Sequence, residues 1–275
     1  MIKISKEARK ILNKDNKWIH LLKLDKRPYL FKFIKTKEPI LDEDKQKEID
    51  KIWEESKKEA RKKGKILFSG AVLGIKSVNK NKNFINIEYF ENSYKYILAA
   101  RKINISPSYK YFIGVRGLCQ VTINNQPSLI IGMRDSKTTK MGGFLESIPA
   151  GILTPQDLRN DSSVLTKLRN ELNQELGIRL KNCIQEKILL SIKGLDKFVT
   201  ADIRIILKLK GNWINKFNLK DKKLFYILEN KVKKFPEHKE IFIVPLENLS
   251  AFIELYKNEW AVTKDILLDF YEFMS

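Results

Sequence analysis

Two glutamates, Glu171 and Glu175, stand four positions apart in the stretch PAGILTPQDLRNDSSVLTKLRNELNQELGI, residues 149–178. Leu165, Leu168, Leu172 and Leu176 recur at helical spacing, so the segment from 163 to 176 is expected to be a helix that buries a leucine stripe. Asp161 or Ser162 can cap its start, and Gly177 fits the position just past its end. On that helix Glu171 and Glu175 flank one edge of the stripe, with Gln174 beside them. Two carboxylates one turn apart repel by roughly 0.2–0.5 kcal/mol in water. At the rim of a core they repel more, unless a cation sits between them. Oxygen donors on one face suit Mg2+ or Mn2+, not zinc. The plainer alternative is a solvated pair, with Lys167, four residues before Glu171, as its partner.

The elements that must position this helix can be read around it. From residue 110 the order is strand, strand, loop, helix, strand, strand, then further helices and a strand. The first two strands, Tyr111–Ile123 and Ser128–Arg134, are joined by a turn at Asn124-Asn125-Gln126-Pro127. Later strands are expected at Glu186–Ile192, Ala201–Leu209 and Ile241–Val244, and helices at Lys222–Val232, Glu247–Tyr256 and Thr263–Phe273. Upstream, a basic helix is expected at 4–14. Apolar runs at 18–24 and 29–34 read as two strands or a strand pair, separated by Arg27-Pro28. His20 in the first run reads as a structural histidine. Residues 42–64 read as one charged helix, acidic at its start through Asp42 and Asp44, basic at its end, and closed by Gly64. Strands follow at 65–68, 72–75 and 84–90, with a turn at 79–83 and a short helix at 94–100. No internal repeat is present. Paired strands with intervening helices indicate an α+β layered architecture.

The 149–178 stretch resembles the box of the Nudix hydrolase superfamily, G-x5-E-x7-R-E-U-x-E-E-x-G-U with U aliphatic. Gly151 matches the first glycine, and Asp157 stands where the first Glu belongs. Glu171, Leu172, Glu175, Gly177 and Ile178 fall in register. The departures are three. Twelve residues, not seven, separate Asp157 from Asn170; Asn170 replaces the box Arg, with Arg169 one place away; and Gln174 replaces the middle Glu. Pro149-Ala150-Gly151 looks like the ADP-ribose and nucleotide-sugar branches, and the region 66–100, with Phe68-Ser69-Gly70, resembles the leading β-region of UDP-sugar pyrophosphatases.

The resemblance implies a Nudix-type α/β/α sandwich with a mixed sheet over 105–275, preceded by a basic α+β N-terminal extension, 1–104, that walls the substrate site. It implies a metal-dependent pyrophosphohydrolase that cleaves the P–O–P bond of a nucleoside diphosphate derivative, of the nucleotide-sugar or ADP-ribose class. Mg2+ (or Mn2+) would be held by Glu171, Glu175, Gln174 and the Ala150 carbonyl, with Asp157 as a further ligand. Glu175, Glu237 and Glu240 would be the catalytic carboxylates, the last two supplied by a late loop. Arg134 and Lys140 would meet phosphates. The rival reading is an eroded Nudix-fold module that binds a nucleotide or RNA without turnover.

Composition bounds the rest. A chain of 275 residues with 43% hydrophobic and 10% aromatic residues can bury a substantial core. Two cysteines, Cys119 and Cys183, cannot build a disulfide scaffold and read as buried thiols. Neither a membrane-length apolar run nor a signal-peptide core is seen, so a soluble cytoplasmic protein is expected. The net charge is +20, but it is carried by 43 Lys against 10 Arg. Arg is the better reader of phosphates and base edges. A Lys-coated surface with some phosphate attraction is therefore favoured over a nucleic-acid groove.

Overall fold

In the computed structural model the described residues are 4–13, 18–23, 30–62, 64, 67, 69–81, 84–100, 102–103, 105, 112–135, 143–159, 163–176, 184–195, 200–210, 214–215, 217–230, 235, 237–260, 264 and 266–274. The helices are α1 (Lys6–Asn13), α2 (Glu43–Lys62), α3 (Tyr94–Ala100), α4 (Ser163–Leu176), α5 (Leu249–Leu255) and α6 (Ile266–Met274). The strands are β1 (Trp18–Lys23), β2 (Leu30–Lys35), β3 (Ala71–Asn81), β4 (Phe84–Ser93), β5 (Phe112–Ile123), β6 (Gln126–Arg134), β7 (Leu145–Ser147), β8 (Ala150–Ile152), β9 (Ile184–Leu195), β10 (Thr200–Leu209), β11 (Phe217–Asp221), β12 (Tyr226–Asn230) and β13 (His238–Pro245). Single 3-10 turns cover Pro155–Arg159 and Leu246–Asn248.

The local chemistry explains several boundaries. Ser5 accepts from the Ala8 N–H (2.9 Å) and starts α1. Asp42 Oδ1 accepts from the Lys45 N–H (2.7 Å), and Gly64 (φ +65°) stands just beyond α2, so both expected ends of that helix are observed. Asn124 (φ 48°) and Asn125 (φ 63°) form a two-residue turn that matches strand twist and joins β5 to β6.

The architecture is mixed α+β: one large mixed sheet flanked by helices. Its main path runs β1-β9-β10-β5-β6-β13-β12-β11, with β10 parallel to β5. The segments 1–104 and 105–275 share this sheet. β1 adds to β9, β2 lies parallel to β4, and β3 joins β4 to β5 at Gly74↔Phe112. The two early apolar runs are thus strands that pair with distant partners and not with each other.

Alternation sorts the sheet's faces. Ile113, Val115, Cys119, Ile130, Ile203, Ile205, Ile241 and Ile243 pack with Leu168, Leu172 and Leu176 of α4. Leu118, Leu129, Ile131, Ile206, Phe242 and Val244 pack on the other side, against α1, α5 and α6. There Arg204, fully buried, pairs with Asp269 of α6 (2.8 Å).

One expected element is of the wrong type. The segment Lys222–Val232 is not a helix: Tyr226–Asn230 is strand β12, paired with β11 and β13, and Lys223 (φ 66°) makes the turn. The short apolar run of Leu224 to Leu228 fits either period, and a strand edge beside β13 decides it. The strand expected at 65–68 and the cap residues Asp161 and Ser162 lie wholly or mostly outside the described residues, as do Gly177, Ile178 and Cys183. The same holds for the side chain of His20. No described helix is long and apolar enough to cross a membrane.

Candidate functional site

β5 and β6 hydrogen-bond only at their turn end, Gln120–Ile123 with Gln126–Leu129, and then part. β7 fills the opening on the β6 side and β8 on the β5 side. This split places Glu146, Ala150 and Gly151 side by side on a cavity of about 730 Å³. Its charged lining is Arg116, Arg134, Glu146, Lys167, Asp202 and Glu237. Its apolar lining includes Leu67, Val72, Tyr94, Phe112 and Ile152.

α4 enters from below this split. Val164, Leu168, Leu172 and Leu176 are buried, while Leu165 is half-buried, so the stripe is rotated slightly from the expected one. That rotation carries Glu175 fully inside, at 1% exposure. The Ala150 N–H donates to its Oε1 (3.1 Å), and its Oε2 has no hydrogen-bond partner among the described residues. Burial pushes the Glu175 carboxyl well above the ordinary range, and the nearby charges of Glu146, Glu237 and Glu171 add to this. The Ala150 N–H opposes the shift without cancelling it.

Glu171 lies one turn earlier, against Gly151. A Cβ at Gly151 would come within 2.7 Å of the Glu171 side chain, so only glycine admits this approach. Lys167 Nζ pairs with Glu171 Oε1 at 2.7 Å and stands 3.8 Å from Asp157 Oδ2. The solvated-pair alternative is therefore half met: Lys167 does hold Glu171, but Glu175 is not solvated.

The upper carboxylates carry their own cations. Arg134 Nη1 donates to Glu146 Oε1 (2.8 Å), and its Nη2 donates to Glu237 Oε2 (3.4 Å). Arg116 Nε donates to Asp202 Oδ2 (3.3 Å), and its Nη1 lies 3.9 Å from Glu146 Oε2. His238 Nε2 is 3.4 Å from Glu146 Oε1, packed against Gly132, which leaves no room for a Cβ. Burial alone would raise the Glu146 pKa; His238, Arg116 and Arg134 outweigh it and hold the carboxyl below its usual value. Cys119, buried beneath, is pushed well up by burial and then by Glu175, and is a poor nucleophile there.

The expected site residues are thus sorted. Glu171, Glu175, Ala150, Gly151, Arg134 and Glu237 are brought together. Gln174 is not: it is exposed, turned away from the buried Glu175. Asp157 has a local task. Its Oδ2 accepts from both the N–H and the hydroxyl of Thr154 (2.8 Å each), which caps the 3-10 turn. Glu240 shares the strand parity of Phe242 and Val244 and lies by Tyr256, on the face opposite α4. Lys140 lies outside the described residues. Among the described residues no cluster of His, Cys, Asp and Glu forms a ready-made metal cage. Sequence reading did not single out Arg116, Glu146, Asp202 or His238. The available signal was Arg116 itself, the one charged residue in the apolar strand Phe112–Ile123.

The chain is similar to several solved structures at low sequence identity. The NUDIX domain of Shewanella oneidensis NrtR, complexed with ADP ribose, matches 59% of this chain and 88% of its own at 8% identity and a TM-score of 0.37. DR0079 from Deinococcus radiodurans matches 74% of this chain and 98% of its own at 10% identity and a TM-score of 0.41. A C. elegans Ap4A hydrolase binary complex matches 59% and 96% at 11% identity and a TM-score of 0.34. No protein-family model and no curated protein matches the sequence.

Proposed function

We propose that this protein is a Nudix-type, metal-dependent pyrophosphohydrolase acting on a nucleoside diphosphate linked to another moiety, of the nucleotide-sugar or ADP-ribose class. One observation carries the reading: the buried Glu175 carboxylate, one oxygen of which has no hydrogen-bond partner among the described residues, set among Glu146, Glu171 and Glu237 beside a cavity that also presents Arg116 and Arg134. An unpartnered carboxylate oxygen among like charges is costly unless a cation joins it. The donors are hard oxygens, so the set fits Mg2+ or Mn2+. Glu171, Glu175 and the Ala150 carbonyl would hold the ion. When bound, it would neutralise charge on the phosphate oxygens and lower the pKa of a bound water.

The chain's own groups do the rest. Arg134 and Arg116 turn part of their donor capacity to phosphate oxygens, where charge grows in the transition state. Glu237 Oε2, at the cavity wall and held by Arg134, accepts the proton of the attacking water. Leu67, Val72 and Tyr94, from the 1–104 segment, wall the cavity and seat the non-phosphate part of the substrate.

The eroded-module reading draws support from the ion pairs. Lys167 compensates Glu171, and Arg134 compensates Glu146, with no metal required. One experiment separates the two. Incubation with Mg2+ and a panel of UDP-sugars, ADP-ribose, dinucleoside polyphosphates and capped RNA should release monophosphate products, and Glu175→Gln should lower turnover by roughly 10²-fold or more. Equal turnover by wild type and variant refutes the metal assignment. Binding of a panel compound without turnover establishes the module.

A further inference from the structure

Lys167 and Glu171 form an i,i+4 pair with the cation first, the less favourable order for helix support. The pair is nonetheless short, 2.7 Å, and both side chains are largely buried, at 18% and 14% exposure. Something other than helix propensity holds it. Glu171 lies close against Gly151, where a Cβ would come within 2.7 Å of it. Asp157, a second anion near Lys167, stands 3.8 Å off and accepts from both the N–H and the hydroxyl of Thr154, so Glu171 is the shorter partner of the ammonium. One turn along, Glu175 Oε2 has no hydrogen-bond partner among the described residues. Lys167 also lines the cavity.

We propose that Lys167 is a resident counter-cation that competes with a divalent metal ion for Glu171, and that metal binding turns its ammonium into the cavity, toward the anionic end of the ligand. This rests on the metal-dependent reading above. A divalent cation held by Glu171 would stand close to an ammonium that lies 2.7 Å from Glu171 Oε1, and repulsion between the two positive charges opposes their sharing that carboxylate. Metal affinity is thereby set below what the two carboxylates would give alone. Anion and metal then favour each other, because an ammonium displaced from Glu171 gains a further partner in the cavity when a phosphate is present.

The test uses the full-length protein and Mn2+, with free Mn2+ counted by electron paramagnetic resonance. Lys167→Met should tighten Mn2+ binding about five- to tenfold, as expected for loss of a directly competing charge in a poorly solvated site. Arg169→Met removes a charge from the exposed face of the same helix and should change it less than about twofold. Equal tightening by both variants reduces the effect to net charge and overturns the proposal, as does unchanged or weaker binding in Lys167→Met. Lys167→Gln reads the same contrast should the methionine variant misfold. Inorganic phosphate, titrated with Mn2+ present, should bind about threefold or more weakly to Lys167→Met than to wild type; equal binding overturns the release step. Mn2+ binding that survives Glu171→Gln places the metal elsewhere and refutes the functional reading itself. Mn2+ binding lost in Glu171→Gln but unaltered in Lys167→Met leaves that reading standing and overturns only the role of Lys167.

Discussion

The N–H of Ala150 and the carboxylate of Glu175, 25 residues apart, meet at 3.1 Å and tie the β8 edge to the last turn of α4. This single bond sets one oxygen of a buried acid, while the other has no hydrogen-bond partner among the described residues. Its consequences can be measured.

Glu175 holds its proton more tightly in the folded chain than in the unfolded one, because burial and then Glu146 raise its pKa. The native state therefore binds more protons across the window from the ordinary glutamate value, about 4.3, up to the raised one. Stability contributed by this group is lost as pH climbs through that window. Glu175→Gln removes the loss. Its melting temperature should exceed wild type by roughly 2–4 °C near pH 8 and converge with it near pH 4. A constant offset at both pH values, measured by calorimetry without added metal, counts against the buried-acid account.

Gly151→Ala places a Cβ 2.7 Å from Glu171 and drives that carboxylate off its position. Displacement of about 1 Å at a ligand is expected to cost turnover on the order of 10²-fold. The fold should survive, since the side chain at fault is the flexible one. Steady-state kinetics beside circular dichroism gives both halves of the answer.

Glu237 and Glu240 are close in sequence and opposite in placement. Glu237→Gln should reduce turnover by roughly 10²-fold or more, as for loss of a general base. Glu240→Gln, on the far face near Tyr256, should leave it unaltered. The reverse pattern in a pH–rate series would reassign the base.

The Arg204–Asp269 pair joins the sheet to α6, and Arg204 is fully buried. Asp269→Asn keeps the shape and removes the negative charge facing the buried guanidinium. A loss of about 3–5 kcal/mol is expected in urea unfolding.

Much of this could be read from residue order. The α2 caps, the Asn124-Asn125 turn and the α4 leucine stripe each depend on chemistry within a few neighbours, which a sequence displays. What escaped depends on distance in the chain. Arg116 meets Asp202 only because β5 and β10 run in parallel register, and Glu146 meets His238 only because β13 lies along β6. Gln174 lies about 100° from Glu175 around the helix, and the buried set centred on Leu168 and Leu172 leaves it in water. Asp157 fell at a motif position, and a local capping demand was enough to fix it there.

The pairing of β1 with β9 sets a timetable for synthesis. Trp18 finds its strand partner at Leu195, 177 positions later. At about 5–20 residues per second, the first strand leaves the ribosome roughly 10–35 s before its neighbour exists. During that interval Trp18–Lys23 is an unpaired edge with nothing beside it, the state in which strands find wrong partners. Lys17, just before the strand, and Lys23, its last residue, then act as guards against intermolecular pairing while the nascent chain waits. Slowing translation between residues 24 and 184 should therefore lower soluble yield more than an equal delay placed after residue 195.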